Sequence, residues 1–409
     1  MRYVIVGNGI AGISAAEAVR QLDPSGHMTL VGDETAIPYS RPMISMVLDG
    51  SIPLEKLPIR GPDIYEDLNI ETRLGNRISR IDAGRRDVVI EGGKRVPFDR
   101  LLIATGADAR PVEARGADLK NIHCLRTEAH VRHIIRALPT VRNPLVLGGG
   151  LVGFKAAYGL LKRGLKPTML ITSAYPLSMQ VDEVAGKMIL DELVRHGLTV
   201  RVGISVSAFE GSKMVEGALL SDDSALPCDL VIAGKGVVPS LSFVPQDRIS
   251  VGQGIFVDEH METSLKGVFA AGDVAEHFDI ARKTRWMNAI WPEAAMQGRV
   301  AGMNMAGRNV SYTGSLSRNV MRIFDLDLMT MGLANPKPGS QYDVLNAHDF
   351  RNNLYRKLVF RENVLVGAVL VNGIEQGGLL LALIQNKTPL SIPRKKLLEP
   401  GFNFRQIMK

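Results

Sequence analysis

The chain has 409 residues, which is enough for two or three domains rather than one. Hydrophobic residues make up 45% and charged residues 22%, as in ordinary globular proteins, and no apolar run approaches the ~20 residues that a membrane-spanning helix needs. Lys and Arg (49) outnumber Asp and Glu (42), for a net charge of +7, but the basic residues are scattered and no nucleic-acid recognition motif is present.

Cys124 and Cys228 lie far apart and outside any C-x-x-C spacing. This argues against a redox-active disulfide and against an iron–sulfur or zinc site, so we expect no metal. The first predicted strand begins at residue 3 and leaves no room for a signal peptide, which favours a cytoplasmic location.

Residues 4–12 combine a short apolar run with the pattern G-x-G-x-x-G, and a helix-forming segment follows. Gly7 suits the tight turn, Gly9 the close approach of a pyrophosphate, and Gly12 the packing of helix on strand. The backbone of Ile10 and Ala11 would then begin the helix whose N-terminus attracts the phosphates.

A second strand is predicted over residues 28–31 and is followed by Asp33 and Glu34. An acidic residue after the second strand of such a unit typically binds the adenosine ribose, and both residues qualify.

Residues 38–46 resemble the P-Y-x-R-P-x-L-S-K segment of FAD-dependent enzymes in the pyridine nucleotide-disulfide oxidoreductase superfamily. The relevant branch holds the NADH:rubredoxin reductases, the flavoprotein reductases of oxygenases and the flavin part of assimilatory nitrite reductases. The resemblance implies that Arg41 and Pro42 contact FAD. Met46 stands where relatives have a lysine.

Further motifs of the same family follow along the chain. The segment at residues 76–82 implies an adenine contact at Ile78, residues 98–106 match a motif ending in Ala-Thr-Gly, and residues 125–127 match its Leu-Arg-Thr. The FAD contacts implied by the last two are Ala104, Thr105, Gly106 and Arg126.

The glycine pattern recurs at residues 145–153, again followed by a predicted helix. Two fingerprints in one chain indicate two dinucleotides and therefore electron transfer between them. The residues predicted to line this second cradle are Gly148, Gly150, Leu151, Val152 and Gly153.

No charged residue in this sequence indicates whether NADH or NADPH is preferred. Eighteen residues beyond Gly153, where relatives that prefer NADH carry an acid, stands Ile171, followed by Thr172 and Ser173. Either hydroxyl can bind a ribose, and the family branch favours NADH while leaving NADPH open.

Lys155 replaces the glutamate that relatives carry, which there pairs with the lysine missing at Met46. We therefore hypothesise that the positive charge beside the flavin has moved from one domain to the other and helps to set the flavin potential. The alternative is that Lys155 simply points to solvent.

Later motifs in the chain resemble segments that bind NAD(P) and FAD in the family. Residues 234–240 match the family's G-x-G-V-x-P-N, with Gly236 assigned to the NAD(P) site, and residues 263–273 match the second FAD motif, with Gly272 and Asp273 on the ribityl chain. Residues 291–298 resemble the segment that lies against the isoalloxazine, with contacts at Ile290 and Trp291.

The resemblance implies an α/β fold with two Rossmann-like three-layer domains and a small α+β C-terminal domain. The predicted bounds are 1–112 with 237–310 for a discontinuous FAD domain, 113–236 for the NAD(P) domain, and 311–409 for a C-terminal domain of the rubredoxin and nitrite reductase type. In that last domain we predict strands over residues 354–360 and 364–371 and a helix over 377–385.

The predicted function is an FAD-containing NAD(P)H:acceptor oxidoreductase without a disulfide relay. The implied partner is an acidic electron carrier, such as a rubredoxin or ferredoxin, or an iron–sulfur subunit of a larger complex. A basic chain would attract such an acidic partner. The sequence also leaves a homo-oligomer open. Two alternatives remain. One is an oxidase or peroxidase of the same fold, which would need either a cysteine near the flavin, missing from this sequence, or fast reaction with oxygen. The other is an FAD-binding subunit whose nicotinamide site has degenerated.

Overall fold

The computed structural model describes residues 1–337, 339, 341–399, 401–403, 405 and 407. The strands in chain order are β1 (Arg2–Val6), β2 (His27–Gly32), β3 (Ile70–Leu74), β4 (Ile78–Asp82), β5 (Asp87–Ile90), β6 (Arg95–Pro97), β7 (Arg100–Ile103), β8 (Ala107–Ala109), β9 (Ile122–Cys124), β10 (Pro144–Leu147), β11 (Thr168–Ile171), β12 (Thr199–Val202), β13 (Val206–Glu210), β14 (Gly217–Leu220), β15 (Ala225–Pro227), β16 (Leu230–Ala233), β17 (Val237–Pro239), β18 (Ile255–Phe256), β19 (Val268–Ala270), β20 (Ala275–Asp279), β21 (Thr284–Trp286), β22 (Arg318–Ile323), β23 (Leu326–Gly332), β24 (Asp343–Asp349), β25 (Leu354–Arg361) and β26 (Val364–Val371). The α-helices are α1 (Ile10–Leu22), α2 (Ile44–Leu48), α3 (Ile64–Asp67), α4 (Glu128–Ala137), α5 (Leu151–Lys162), α6 (Glu183–Arg195), α7 (Trp291–Met305) and α8 (Gly377–Gln385).

The described residues form two compact units. The first comprises Met1–Pro42, Glu55–Asp108 and Val237–Ser315, and the second Met43–Leu54, Ala109–Gly236 and Leu316–Lys409. The three-domain bounds inferred from the sequence remain a proposal.

The first unit is built on a five-stranded sheet in the order β19-β7-β1-β2-β3, in which every pairing is parallel. Its central strand, β1, is buried from Tyr3 to Val6, as expected for a parallel strand covered on both faces. Helix α1 packs against α7 with very little space: a Cβ on Gly298 would lie 2.1 Å from the Ala11 carbonyl oxygen. The glycine therefore lets the two helix backbones approach.

The second unit contains a parallel sheet in the order β12-β11-β10-β16-β9. It also contains an antiparallel sheet near the C-terminus, in the order β22-β23-β26-β25-β24, on which α8 packs. The predicted α/β class, the parallel sheets and the small C-terminal sheet are confirmed.

The structure adds strands that the sequence patterns did not predict. Strands β22, β23 and β24 complete the C-terminal sheet, and β24 is largely exposed, so it lacks an alternating apolar pattern. Between residues 70 and 82 the chain forms two separate strands, β3 and β4, with the left-handed residue Gly75 between them.

A buried cluster ties α6 to the C-terminal sheet within the second unit. The Lys357 side chain is 6% exposed, and its ammonium lies 3.1 Å from the Asp182 carboxylate, which also accepts a 2.7 Å hydrogen bond from the Tyr355 hydroxyl. Burial and the hydrogen bond to Asp182 raise the pKa of Tyr355, so it stays a donor. Asp182 is also the N-cap of α6.

We expect Asp182→Asn to lower the free energy of unfolding by about 3–5 kcal/mol, because it leaves the Lys357 cation buried without its counter-charge. Asparagine still caps a helix well, so the loss would reflect the charge. Urea unfolding followed by far-UV circular dichroism measures it. The neighbouring Glu183→Gln is the control: its ion pair with Lys187 is exposed and contributes less than about 1 kcal/mol. Equal effects of the two substitutions would contradict this role for Asp182.

Candidate dinucleotide-binding sites

The first glycine pattern forms a close backbone turn between β1 and α1. Gly7 has a left-handed φ of 114°, and a Cβ there would lie 2.1 Å from the Ala104 carbonyl oxygen. A Cβ on Gly12 would lie 2.0 Å from the Gly7 carbonyl oxygen. Gly9 differs, because no described atom lies within 4 Å of its Cβ position. The first and third glycines thus serve the protein's own packing, and the second faces open space where a pyrophosphate can approach.

The charge around this turn suits an anion. Gly9 is the N-cap of α1, and the first turn of the helix, which contains Ile10 and Ala11, carries no acidic residue. The first N–H groups of a helix lack intrahelical partners and carry the positive end of the helix dipole. These residues therefore fit a dinucleotide phosphate by both shape and charge.

The two acidic candidates after β2 have different surroundings. Glu34 accepts a 2.7 Å hydrogen bond from the Tyr39 hydroxyl and forms an ion pair with Arg41. Burial alone would lower the pKa of Arg41, but the nearby Tyr39, Glu34 and Asp33 raise it overall. Asp33 is exposed, which leaves it the better placed of the two for a ribose.

The Ala-Thr-Gly motif follows β7 at the edge of the sheet where the first cradle lies. The Ala104 amide donates to the Val6 carbonyl at 2.7 Å, and Thr105 donates to the Ser240 carbonyl at 3.3 Å. The motif is therefore held against the cradle. Gly106 follows with a left-handed φ of 68°.

The second FAD motif follows β19, a strand that neighbours β7. The Ala271 amide donates to the Ile103 carbonyl at 3.0 Å, and the Gly272 amide to the Gln297 side chain at 2.9 Å. A Cβ on Gly272 would lie 3.1 Å from that of Ala11. The fold thus brings Gly272, and Asp273 after it, beside the start of α1.

The remaining FAD candidates have the following positions. Pro42 lies in a short 3-10 turn, Ile78 is buried as the first residue of β4, and Ile290 and Trp291 are the N-cap and first residue of α7. Arg126 precedes Thr127, the N-cap of α4, and belongs to the second unit.

Two polar side chains that the sequence patterns did not single out support the first cradle. The Asn8 amide donates to the Ala36 carbonyl at 2.8 Å and accepts from the Tyr65 hydroxyl at 3.0 Å. Gln297 holds the Gly272 amide, as described above. Asn8 lies inside the glycine motif, so its polar side chain could have been predicted from the sequence to support the turn. The role of Gln297 depends on tertiary packing and could not.

The second glycine pattern repeats the geometry of the first. Gly148 has a φ of 103°, and its Cβ would lie 2.5 Å from the Gly234 carbonyl oxygen; that of Gly153 would lie 1.9 Å from the Gly148 carbonyl oxygen. Gly150 again has no described atom within 4 Å of its Cβ position. Gly150 caps α5, whose first turn, containing Leu151 and Val152, has no acidic residue. This cradle also fits a dinucleotide phosphate.

The residues after β11 face the place where a ribose is expected in such a unit. Thr172 is exposed, whereas the Ser173 hydroxyl donates to the Tyr175 carbonyl at 2.8 Å. Gly236, with a φ of 91°, has open space at its Cβ position among the described atoms. Thr172 is therefore the freer of the two hydroxyls.

Lys155 lies in the second turn of α5 and is half-buried. Burial lowers the pKa of its ammonium. Within the part of the chain that the structure describes, it makes no hydrogen bond or ion pair. It is thus a partly desolvated cation.

Neither cysteine is bonded to another in the described structure. Cys228 is buried, which raises the pKa of its thiol to about 12, and burial also raises the pKa of Cys124. Both thiols therefore stay protonated near neutral pH, so neither resembles a redox-active cysteine.

The described residues include no helix that combines the length and the apolar character required to cross a bilayer.

Comparison with protein families gives two matches: pyridine nucleotide-disulphide oxidoreductase over residues 1–298, and the rubredoxin NAD+ reductase C-terminal domain over residues 318–388. The chain is 30% identical to the NADH-dependent phenylglyoxylate dehydrogenase subunit epsilon of Aromatoleum evansii over 97% of this chain and 94% of the relative. It is 27% identical to a nitrite reductase [NAD(P)H] of Bacillus subtilis (strain 168) over 98% of this chain, but it spans only 49% of that protein. The structure superposes on that of a covalent putidaredoxin reductase–putidaredoxin complex with a TM-score of 0.90 and 26% identity, covering 100% of this chain and 98% of the other.

Proposed function

Since this chain belongs to the pyridine nucleotide-disulphide oxidoreductase family, we propose that it binds FAD at the first glycine cradle and NAD(P)H at the second, and that it passes electrons to an iron–sulfur or rubredoxin-type acceptor. The observation that supports this most strongly is the repeated geometry. In both cradles the first and third glycines are closed by backbone, and the second, Gly9 or Gly150, faces open space.

FAD, when bound, supplies the chemistry of accepting a hydride and releasing electrons singly. The chain's own residues position and hold the cofactors. The N-terminus of α1 and the exposed Asp33 would bind pyrophosphate and ribose, while Glu34 fixes the side chain of Arg41. Further FAD contacts proposed from the family motifs are Pro42, Ile78, Ala104, Thr105, Gly106, Arg126, Gly272, Asp273, Ile290 and Trp291.

For the nicotinamide dinucleotide we propose NADH as the preferred form, with its ribose on Thr172. Support comes from the absence of Lys and Arg at positions 171–173, since a 2′-phosphate is usually met by a basic residue. The ratio of kcat/KM for NADH to that for NADPH tests this. A ratio below one would reverse the assignment.

The acceptor is proposed from the relatives and from charge. One relative is named as a subunit of a larger dehydrogenase, and the solved neighbour is a complex with putidaredoxin. A net charge of +7 favours an acidic carrier, so reduction of that carrier should slow as salt is added.

Anaerobic titration of the purified flavoprotein tests the proposal. Bleaching of the flavin by NADH or NADPH, reversed by a rubredoxin or a ferredoxin, would support both electron-transfer steps. The competing possibility is an FAD-binding subunit with a degenerate nicotinamide site, favoured by the neutral residues at 171–173 and by Lys155 in place of the usual glutamate. In that case neither nucleotide would bleach the flavin.

We also propose, from the family resemblance at this position, that Lys155 raises the midpoint potential of the flavin, since a cation beside a flavin favours the anionic reduced form. Lys155→Met should therefore lower the potential, measured by dye-equilibrated reduction, while the flavin stays bound. Lys162→Met, at the far end of the same helix, is the control and should leave the potential unchanged. Equal potentials for wild type and Lys155→Met would refute this role.

A further inference from the structure

Three potential metal ligands meet in the second unit, outside both cradles. Glu192 and His196 are four residues apart at the end of α6 and so share one face, and Asp325 lies in the turn between β22 and β23. The His196 Nε2 lies 3.2 Å from Glu192 Oε1 and 3.2 Å from Asp325 Oδ2. One ligand atom from each residue lies within 4.8 Å of the other two.

Packing holds two of the three side chains, those of Glu192 and His196, in place. The Glu192 side chain is 2% exposed, and its Oε1 accepts a 2.8 Å hydrogen bond from the Asp325 amide. The His196 ring stacks on Phe324, with centroids 4.1 Å apart and planes 5° from parallel. Phe324 itself has a left-handed φ of 52°, so the turn is shaped to place its ring there. The orientation of the imidazole is therefore fixed by contacts other than the carboxylates.

The His196 Nε2 is buried, yet it makes no well-aligned hydrogen bond to any described atom, although two carboxylates are close. An Nε2 that carried a hydrogen would be expected to direct its N–H at one of them. The two 3.2 Å separations instead approach the edge of a tetrahedron around Zn²⁺, which is about 3.3 Å for bonds of about 2.0–2.1 Å. The arrangement thus suits a central ion better than a hydrogen bond.

We propose that Glu192, His196 and Asp325 bind a divalent transition-metal ion, with Zn²⁺ the best match. One imidazole nitrogen and two carboxylate oxygens are typical zinc ligands, with water in the fourth position. Ca²⁺ and Mg²⁺ prefer shells made of oxygen and need more ligands than this site offers. This departs from the expectation of no metal, which considered cysteine ligands only.

Charge and access fit the same proposal. Arg195 pairs with the other Glu192 oxygen and lies 4.0 Å from Asp325 Oδ2, so it offsets part of the negative charge of the two carboxylates. The Asp325 side chain is 70% exposed, which gives an ion a path from solvent. A bound ion would connect the end of α6 to the turn between β22 and β23, both within the second unit.

The test is isothermal titration of ZnCl₂ into the full-length flavoprotein at pH 7.5 after treatment with EDTA and dialysis. We expect one equivalent to bind and the thermal midpoint to rise with zinc. His196→Gln and Asp325→Asn should each weaken binding at least about tenfold.

Two controls separate this site from other zinc binding. Asp327→Asn removes an exposed acid from the same hairpin, and Cys124→Ser removes the half-buried thiol; neither should change the affinity. Affinity weaker than millimolar in the wild type, or unchanged binding in both His196→Gln and Asp325→Asn, would overturn the proposal. If His196→Gln folds poorly, the zinc affinity of Asp325→Asn still tests the proposal, because Asp325 is exposed. Flavin bleaching by NADH is a separate readout, so a failure here leaves the proposed function standing.

Discussion

Gly150→Val is expected to keep the flavin bound and to slow its reduction by NADH and NADPH strongly. The second glycine of this cradle has a φ of −81° and a ψ of −179°, which valine adopts readily. Its Cβ position is open among the described atoms, so the substitution should not disturb packing. The added methyl groups would instead fill the space that a pyrophosphate needs.

The expected loss is on the order of 100-fold or more in the rate of flavin reduction at subsaturating nucleotide, about 2.8 kcal/mol. Stopped-flow absorbance under nitrogen measures it. Gly378→Val is the matched control, because that glycine also has no described atom within 4 Å of its Cβ position and lies in the same unit. A normal rate of flavin reduction in Gly150→Val would show that the nucleotide does not bind at this cradle.

Gly9→Val should produce a folded protein that has lost FAD. Gly9 has a φ of −86° and a ψ of −175°, and its Cβ position is equally open. Valine would project into the place of the FAD pyrophosphate, so we expect the dissociation constant to rise by on the order of 100-fold or more. The variant should be purified colourless, with a far-UV circular dichroism spectrum like that of the wild type.

Gly61→Val provides the comparison for this substitution, since Gly61 belongs to the same unit and also has open space at its Cβ position among the described atoms. It should be purified yellow. A yellow Gly9→Val protein with normal flavin content would exclude the first cradle as the FAD site. Gly7→Val would not serve as a test, because its Cβ would clash with the Ala104 carbonyl and destabilise the apoprotein.

The sequence predicted the parallel sheets and the two cradles because their signals are local. A buried strand, a glycine turn and a helix start lie within nine residues, and each glycine position has its own steric reason. The helix at 377–385 was likewise predicted, since its apolar residues lie close together in sequence.

Features that depend on distant contacts were beyond sequence reasoning. The sequence treated Asp33 and Glu34 alike, and only the position of Arg41 and Tyr39 distinguishes them. Strand β24 lacks an apolar pattern because most of it is exposed at the edge of its sheet. Asp325 meets His196 only through tertiary packing, and no motif links the two positions.

The contact between Gly7 and Ala104 also bears on the order in which the two cradles form during synthesis of the chain. The first cradle is closed by a carbonyl almost a hundred residues downstream, and Gly272, which follows the last strand of its sheet, lies beside it. The strands that flank the second cradle, β10, β11 and β16, lie between these segments. Ala104 leaves the ribosome before the second cradle does, but Gly272 leaves after it. The surroundings of the first cradle are therefore complete only after the second cradle has been translated, and FAD at the proposed site would gain its last contacts late in synthesis.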